Sequence, residues 1–268
     1  MTANLVFVKL GGSLITDKRQ EATVRPKILA RLAGELRQAL DAVPDLRIVL
    51  GHGSGSFGHW EGSRHGTRAG VATPEAWEGF AQVSAAASRL NRIVVDTFLE
   101  AGVPVLSLQP SASALAEDGE IVALAADPLR RALAAGLVPL IFGDVAFDRA
   151  RGGTILSTED LFVHLAPILQ PERILLLGNA PGVLDNWRRV IPSITPATYP
   201  QIAPFLRGSC CTDVTGGMAD KVERMVSLVQ ELPELRVWIL TGQEPGNLKR
   251  ALLDPGATPG TYISWNTD

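Results

Sequence analysis

The segment RIVLGHGSGSFGH, residues 47–59, decides how this chain is read. Residues 47–50 predict a strand, and it runs straight into glycines at 51, 53, 55 and 58. Glycine lets backbone N–H groups approach an anion closely, and a helix N-terminus adds partial positive charge. Gly53 to Gly58 also matches G-x-G-x-x-G, the dinucleotide-binding fingerprint. That motif must open a helix directly after the first strand of its unit. Here HWEGSRHGTRAG continues polar and glycine-broken, and the strand is the second of the chain. The expectation is a phosphate-cradling loop of another kind. No G-x-x-x-x-G-K-[ST] occurs, so it is not a P-loop.

Outward from this loop the chain alternates strands and helices. Residues 5–10 form an apolar run that carries Lys9 and ends in Gly11-Gly12. Pro26 suits the first position of a helix whose Ile28, Leu29, Leu32, Leu36 and Leu40 share one face. Thr73-Pro74 starts a long helix, rich in Ala and Val, to about residue 101. Strands are predicted at 103–108 and 137–142, with a helix from Asp127-Pro128 to Gly136 between them. The stretch 145–157 alternates around Gly152-Gly153 and predicts a β-hairpin turning on that pair. Residues 157–160, Ser-Thr-Glu-Asp, resemble a capping box at a helix start. A strand at 173–177 is followed by a proline-rich, irregular stretch over 179–212. Thr215-Gly216-Gly217 then opens a helix, and a strand at 236–240, a short helix near 247–253 and a strand at 261–264 complete the chain. This order predicts an α/β fold with a mostly parallel central sheet, covered by helices on both faces.

Composition narrows the function classes. At 268 residues with 46% hydrophobic side chains, the chain can bury a sizeable core without a disulfide or metal staple. A formal net charge of -3, with Arg spread along the chain, argues against a nucleic-acid partner. The two cysteines, Cys210 and Cys211, are adjacent, which suits neither a structural disulfide nor a metal site. The start lacks a basic n-region, and the longest apolar run, 132–142, is broken by Gly136 and Pro139. The expectation is a soluble, cytoplasmic protein without a membrane partner.

Lysine is scarce here. Of 25 basic side chains only Lys9, Lys18, Lys27, Lys221 and Lys249 are Lys. Lys27 and Lys249 fall on predicted helices as solvated charges. Lys9 lies in the first strand, Lys18 in the loop after Gly11-Gly12, and Lys221 near the start of the helix after Gly217. A charge among Leu5, Phe7, Val8 and Leu10 needs a partner, so Lys9 is no ordinary surface lysine. A mobile ammonium suits a phosphoryl group that changes position during transfer. Asp160 at a helix start could hold these lysines, help bind Mg²⁺, or serve only as an N-cap acid. His59 closes the glycine loop and could donate to a phosphate. His52 could support it from behind, and His65 and His164 are read as structural.

Together, KLGGSLITDK (9–18), GHGSGSFGH (51–59), PLIFGDV (139–145), STED (157–160) and TDVTGGMADKVERM (212–225) resemble the amino acid kinase superfamily, most closely its isopentenyl phosphate kinase family. The resemblance implies an open αβα sandwich as a single domain over 1–268. Residues up to about 170 would bind the acceptor and those from about 171 the nucleotide. It implies transfer of a phosphoryl group from ATP, accompanied by Mg²⁺, to isopentenyl phosphate, and a homodimer. Lys9, Gly11, Gly12 and Ser13 would contact the β- and γ-phosphates of ATP, with Gly55, Gly182, Gly216, Gly217 and Lys221 also on the nucleotide. Lys18 would stabilise the transferring group. Ser54, Gly55 and His59, with Gly143 nearby, would hold the acceptor's phosphate. Asp160 would orient Lys9 and Lys221, and no residue is assigned as a metal ligand. Fosfomycin kinases share much of the pattern, so a phosphonate or another small phosphomonoester is the rival acceptor. A non-catalytic ATP-binding protein is the rival outside enzymes. Two stretches depart from the family's usual pattern: Ser54 replaces a glycine, and residues 178–184, Gly-Asn-Ala-Pro-Gly-Val-Leu, lack the two acids of T-D-V-D-G-V-Y.

Overall fold

In the computed structural model, residues 4–206 and 217–266 are described. Gly216, Thr215, Cys210 and Cys211 lie outside them. The first half contains β1 (Leu5–Leu10), α1 (Gly12–Ile15), α2 (Pro26–Ala42), β2 (Arg47–His52), α3 (Gly55–His65) and α4 (Pro74–Glu100). Then come β3 (Val105–Ser107), β4 (Ala114–Glu117), β5 (Glu120–Leu124), α5 (Asp127–Ala134), β6 (Val138–Phe142), β7 (Asp144–Asp148) and β8 (Gly152–Leu156). The rest comprises α6 (Thr158–Leu169), β9 (Arg173–Gly178), β10 (Ser193–Ile194), α7 (Tyr199–Leu206), α8 (Met218–Glu231), β11 (Arg236–Thr241), α9 (Asn247–Leu253) and β12 (Thr261–Ile263).

Among the described residues, eight strands form one sheet in the order β10-β12-β11-β9-β1-β2-β6-β3. It is parallel except where β12 runs against β11. A second sheet, β5-β4-β7-β8, branches off where β6 ends at Gly143. Side chains alternate across each strand, so β1 feeds two cores. Val6, Val8 and Leu10 pack with α2, α4 and α9, whereas Leu5 and Phe7 pack with α6 and α8. Both faces are covered, as the strand–helix alternation predicts. Lys9 shares the parity of Leu5 and Phe7, so it faces α6 and α8.

Several segments differ from the sequence expectation. The polar, glycine-broken run after residue 54 is a helix, α3, despite glycines at 55, 58 and 62. Each interior glycine costs roughly 1 kcal/mol against alanine, so tertiary contacts must hold this helix. Phe57 is buried in the main core, Ser56 N donates to Thr16 Oγ1 at 2.9 Å, and Thr23 N donates to Ser56 Oγ at 3.1 Å. The motif G-x-G-x-x-G therefore does open a helix, from its second glycine, and its position after β2 rather than β1 separates the loop from a dinucleotide fingerprint. In the β7–β8 hairpin the turn is not Gly152-Gly153, which lies inside β8. The chain turns at residues 149–151, where the Asp148 carboxylate accepts N–H groups of Ala150 and Arg151, both at 2.9 Å. Gly153 answers to packing and not to a turn, since a Cβ there would meet the Phe80 ring at 2.7 Å. Finally, the proline-rich stretch contains β10 and α7, and the β4–β5 hairpin was not anticipated.

Candidate active site

Four parallel strands, β1, β2, β6 and β9, end on the same edge in Gly11, Gly53, Gly143 and Gly178. Ligands of such sheets collect at the carboxyl ends of the strands, and here the loops enclose a cleft of about 740 Å³. Two of the glycine loops touch directly. A Cβ on Gly12 would lie 2.5 Å from Gly55 N. Gly55 adopts φ +53, and a Cβ there would collide with Thr16. Neither position admits a side chain, so the two loops form one continuous backbone floor. Ser54 has φ -69 and ψ -10, an ordinary right-handed conformation that needs no glycine. Its side chain lies in the space that a Cβ on Gly58 would fill.

The cleft brings together most of the expected residues. Lys9, Gly11, Gly12, Ser13 and Lys18 line it on one side. Ser54, Gly55, His59 and Gly143 line the end beside α3, and Gly217 and Lys221 the end beside α8. Gly182 is not brought there. It is buried against Val190 and Thr261, each 2.8 Å from where its Cβ would stand, as the 179–191 loop folds back on β12. Gly216 lies outside the described residues.

Asp160 needs a correction. The acid between the two lysines is Glu159, whose Oε1 pairs with Lys9 Nζ and lies 3.7 Å from Lys221 Nζ. Asp160 instead completes the capping box of α6. It accepts Ser157 N at 2.7 Å, and its own N–H donates to Ser157 Oγ at 3.1 Å. Its other oxygen lies 2.7 Å from Arg224 Nη1. Helix phase is the cause. Glu159 stands one turn before Phe162, whose ring lies 4.9 Å from that of Phe7. Two residues further along β1, Lys9 therefore meets Glu159. Burial alone would push the Glu159 carboxyl up, but the charges of Lys9 and Lys221 outweigh it and hold the pKa well below the usual range.

Beneath the second glycine loop, His52 is fully buried and stacked on Phe142. Its ring nitrogens face Gly53 O and Asn91 Oδ1, both at 3.2 Å. Burial lowers its pKa to about 4, so the ring is neutral at physiological pH. His52 thus supports the loop without carrying charge. Its carbonyl accepts Gly143 N at 3.1 Å and Thr158 Oγ1 at 2.6 Å, tying three loops together.

Sequence reasoning missed Glu159, Asp144, Arg68 and Asn179, all of which line the cleft. The apolar period Phe162, Leu165, Leu169 carries a signal for Glu159, since residue 159 falls in phase with it. Asp144 is buried and fully engaged, accepting Val145 N at 2.8 Å, Ser84 Oγ at 3.1 Å, and Ser111 N and Gln109 Nε2 at 3.3 Å. Arg68 follows α3 in a 3-10 turn, Thr67–Ala69, whose backbone is fastened to β8 by Thr154 Oγ1 donating to Arg68 O. Among the described residues no group of three or more His, Cys, Asp and Glu is placed to hold a metal ion. No described helix is long and apolar enough to cross a membrane.

A mostly parallel sheet whose glycine-floored strand ends gather the buried Lys9 and the half-buried Lys18 and Lys221, without a P-loop, is the architecture of a class of small-molecule phosphotransferases. The chain belongs to the amino acid kinase family, whose model matches residues 4–240. Within that family it is 39% identical to the isopentenyl phosphate kinase of Haloferax volcanii, over 92% of this chain and 99% of the relative. It is 31% identical to the isopentenyl phosphate kinase of Methanocaldococcus jannaschii, over 98% of this chain and 99% of the relative. An X-ray structure of isopentenyl phosphate kinase superposes with a TM-score of 0.81 at 29% identity, covering 97% of this chain and 100% of that one.

Proposed function

We propose that this protein transfers the γ-phosphoryl group of ATP to isopentenyl phosphate, giving isopentenyl diphosphate and ADP. One observation carries the reading: a single cleft joins a lysine-bearing glycine floor to an apolar wall. Val83 and Ala87 of α4 and Ile155 of β8 line the same cleft as His59 and Gly143. A short hydrocarbon tail fits that wall while its phosphate meets the glycine floor. Full-length similarity to isopentenyl phosphate kinases supports the same substrate.

The chemistry follows from the charges. An oxygen of the acceptor phosphate attacks the γ-phosphorus in line, and the bond to the β–γ bridging oxygen breaks, leaving ADP. The attacking oxygen is already anionic, so no strong base is needed. The obstacle is the approach of two polyanions, which fixed positive groups and backbone N–H donors relieve. Lys9 and Lys221, bridged by the shared Glu159, receive the nucleotide phosphates with Gly11, Gly12, Ser13 and Gly217. Lys18 meets the group in transit. Ser54, Gly55, Gly143 and His59 hold the acceptor phosphate, and Arg68 adds positive charge at that end. The lobe before about residue 170 supplies the acceptor's contacts together with Lys9 and the Gly11–Ser13 loop, and the lobe after it supplies the remaining contacts to the nucleotide.

Mg²⁺ belongs to this reading as the counter-ion that ATP brings with it. Neither buried acid of the cleft fits a resident cation, because Asp144 is taken by four donors and Glu159 by two lysines. No step is assigned to a protein-held metal. The enzyme works as a homodimer in the cytoplasm, where ATP is supplied. Exposed Ile93 and Leu99 on α4 and Leu106 on the edge strand β3 offer the apolar surface for a second copy.

An acceptor panel with labelled ATP tests the function. Isopentenyl phosphate should give the highest kcat/KM. Preference for fosfomycin or another phosphomonoester would refute the substrate, and tight ATP binding without transfer to any acceptor would refute the activity.

A further inference from the structure

Asn179 stands just beyond the end of β9, where it lines the cleft. Its side-chain amide joins two loops. Nδ2 donates to Ser13 O at 3.0 Å, and Oδ1 accepts from Gln243 Nε2. Thr241 Oγ1 donates to Asn179 O at 3.4 Å and accepts Gln243 N at 3.1 Å. The glycine loop after β1 is thereby tied to the loop after β11.

That second loop is itself anchored from behind the sheet. Arg31 of α2 donates to Gly242 O and, at 3.3 Å, to Gln243 O. The buried Glu35 carboxylate accepts Gly246 N at 2.9 Å, Leu248 N at 3.1 Å and Lys249 N at 3.3 Å. A chain of hydrogen bonds thus runs from α2 through residues 242–249 and Asn179 to Ser13. Only an amide completes it. Aspartate could accept from Gln243 but has no proton to give the Ser13 carbonyl at neutral pH.

We propose that Asn179 is a positioning residue that holds the Gly11–Ser13 loop in the shape that receives nucleotide phosphates. It therefore sets the affinity for ATP and leaves that for the acceptor unchanged. This rests on the assignment of Gly11, Gly12 and Ser13 to ATP made above.

The test compares Asn179→Ala, Asn179→Asp and Gln243→Ala with the wild type, varying each substrate in turn and recording thermal unfolding. Loss of one such hydrogen bond should raise KM for ATP about three- to tenfold in both Asn179 variants. KM for isopentenyl phosphate should stay within about twofold, and Gln243→Ala should show the smaller ATP effect because the bond to Ser13 remains. An unchanged KM for ATP, an equal rise for both substrates, or a wild-type Asn179→Asp would each overturn the proposal. A lowered melting temperature with unchanged KM for ATP would make Asn179 merely structural and overturn it too. Calorimetric titration with a non-hydrolysable ATP analogue separates the two levels. A wild type that binds the analogue but does not phosphorylate isopentenyl phosphate contradicts the proposed function, while weaker binding by the Asn179 variants would still support the clamp.

Discussion

Replacing Glu159 with Gln tests the centre of the site. Lys9 and Glu159 are only 7% and 9% exposed, so their charges neutralise each other largely out of water. Gln keeps the shape and one acceptor oxygen but removes the charge. Breaking a buried pair from one side costs about 3–5 kcal/mol, because the surviving charge is left without compensation. Lys9 borders the cleft and can recover some hydration, which favours the lower end, about 3 kcal/mol. For a chain of this size each kcal/mol lowers Tm by roughly 2–4 °C, so the variant should melt about 6–12 °C lower. Saturating ATP should restore part of that loss, since its phosphates meet the same ammonium groups. Turnover should fall about 100-fold, the scale of a 1 Å misplacement of reacting groups. Asp160→Asn is the control. It weakens a helix cap and an ion pair with a partly exposed Arg224, together about 1–2 kcal/mol, and should leave kcat near wild type. Calorimetric melts and steady-state rates on both variants decide the matter. A Glu159→Gln enzyme with wild-type Tm and kcat, beside an inactive Asp160→Asn, would refute the reasoning and return the orienting role to Asp160.

Lys18→Ala should lower kcat by about 100-fold or more while KM for ATP changes little, because its contact forms mainly in the transition state. Unchanged turnover would exclude that role. His59→Ala should raise KM for isopentenyl phosphate and spare ATP binding, so a wild-type kcat/KM for the acceptor would remove His59 from the phosphate site. His52 predicts a pH dependence of stability. With a folded pKa of about 4 against 6.5, the unfolded chain takes up the proton first. Its contribution is complete above pH 6.5 and is lost as pH falls towards 4. Between pH 7.5 and 4.5 that amounts to about 2–3 kcal/mol, which denaturant titrations should find in the wild type and not in His52→Gln. Equal pH dependence in the two proteins would contradict it.

Much of the fold was legible because its signals are local. Pro26, Thr73-Pro74 and Ser157 mark helix starts by backbone chemistry that needs no tertiary partner. The helix at α3 was hidden because its glycines argue against it locally. They are there to let β1's loop and Ile155 approach, the latter 3.2 Å from where a Cβ at Gly62 would stand. Glu159 and Asp160 show the same limit at the site. Adjacent acids at a helix start have similar local chemistry, but successive residues on a helix point about 100° apart.

Residue types and their order along the chain were therefore enough to indicate an α/β sheet, glycine-floored strand ends and three telling lysines. These follow from periodicity, backbone freedom and the difficulty of burying a lone charge. Which acid faces those lysines, why Gly182 packs away from the cleft, and how Asn179 joins two loops depend on contacts between distant segments. Such contacts are set by the phase of each helix against the sheet, and that phase exists only once the cores on both faces have packed.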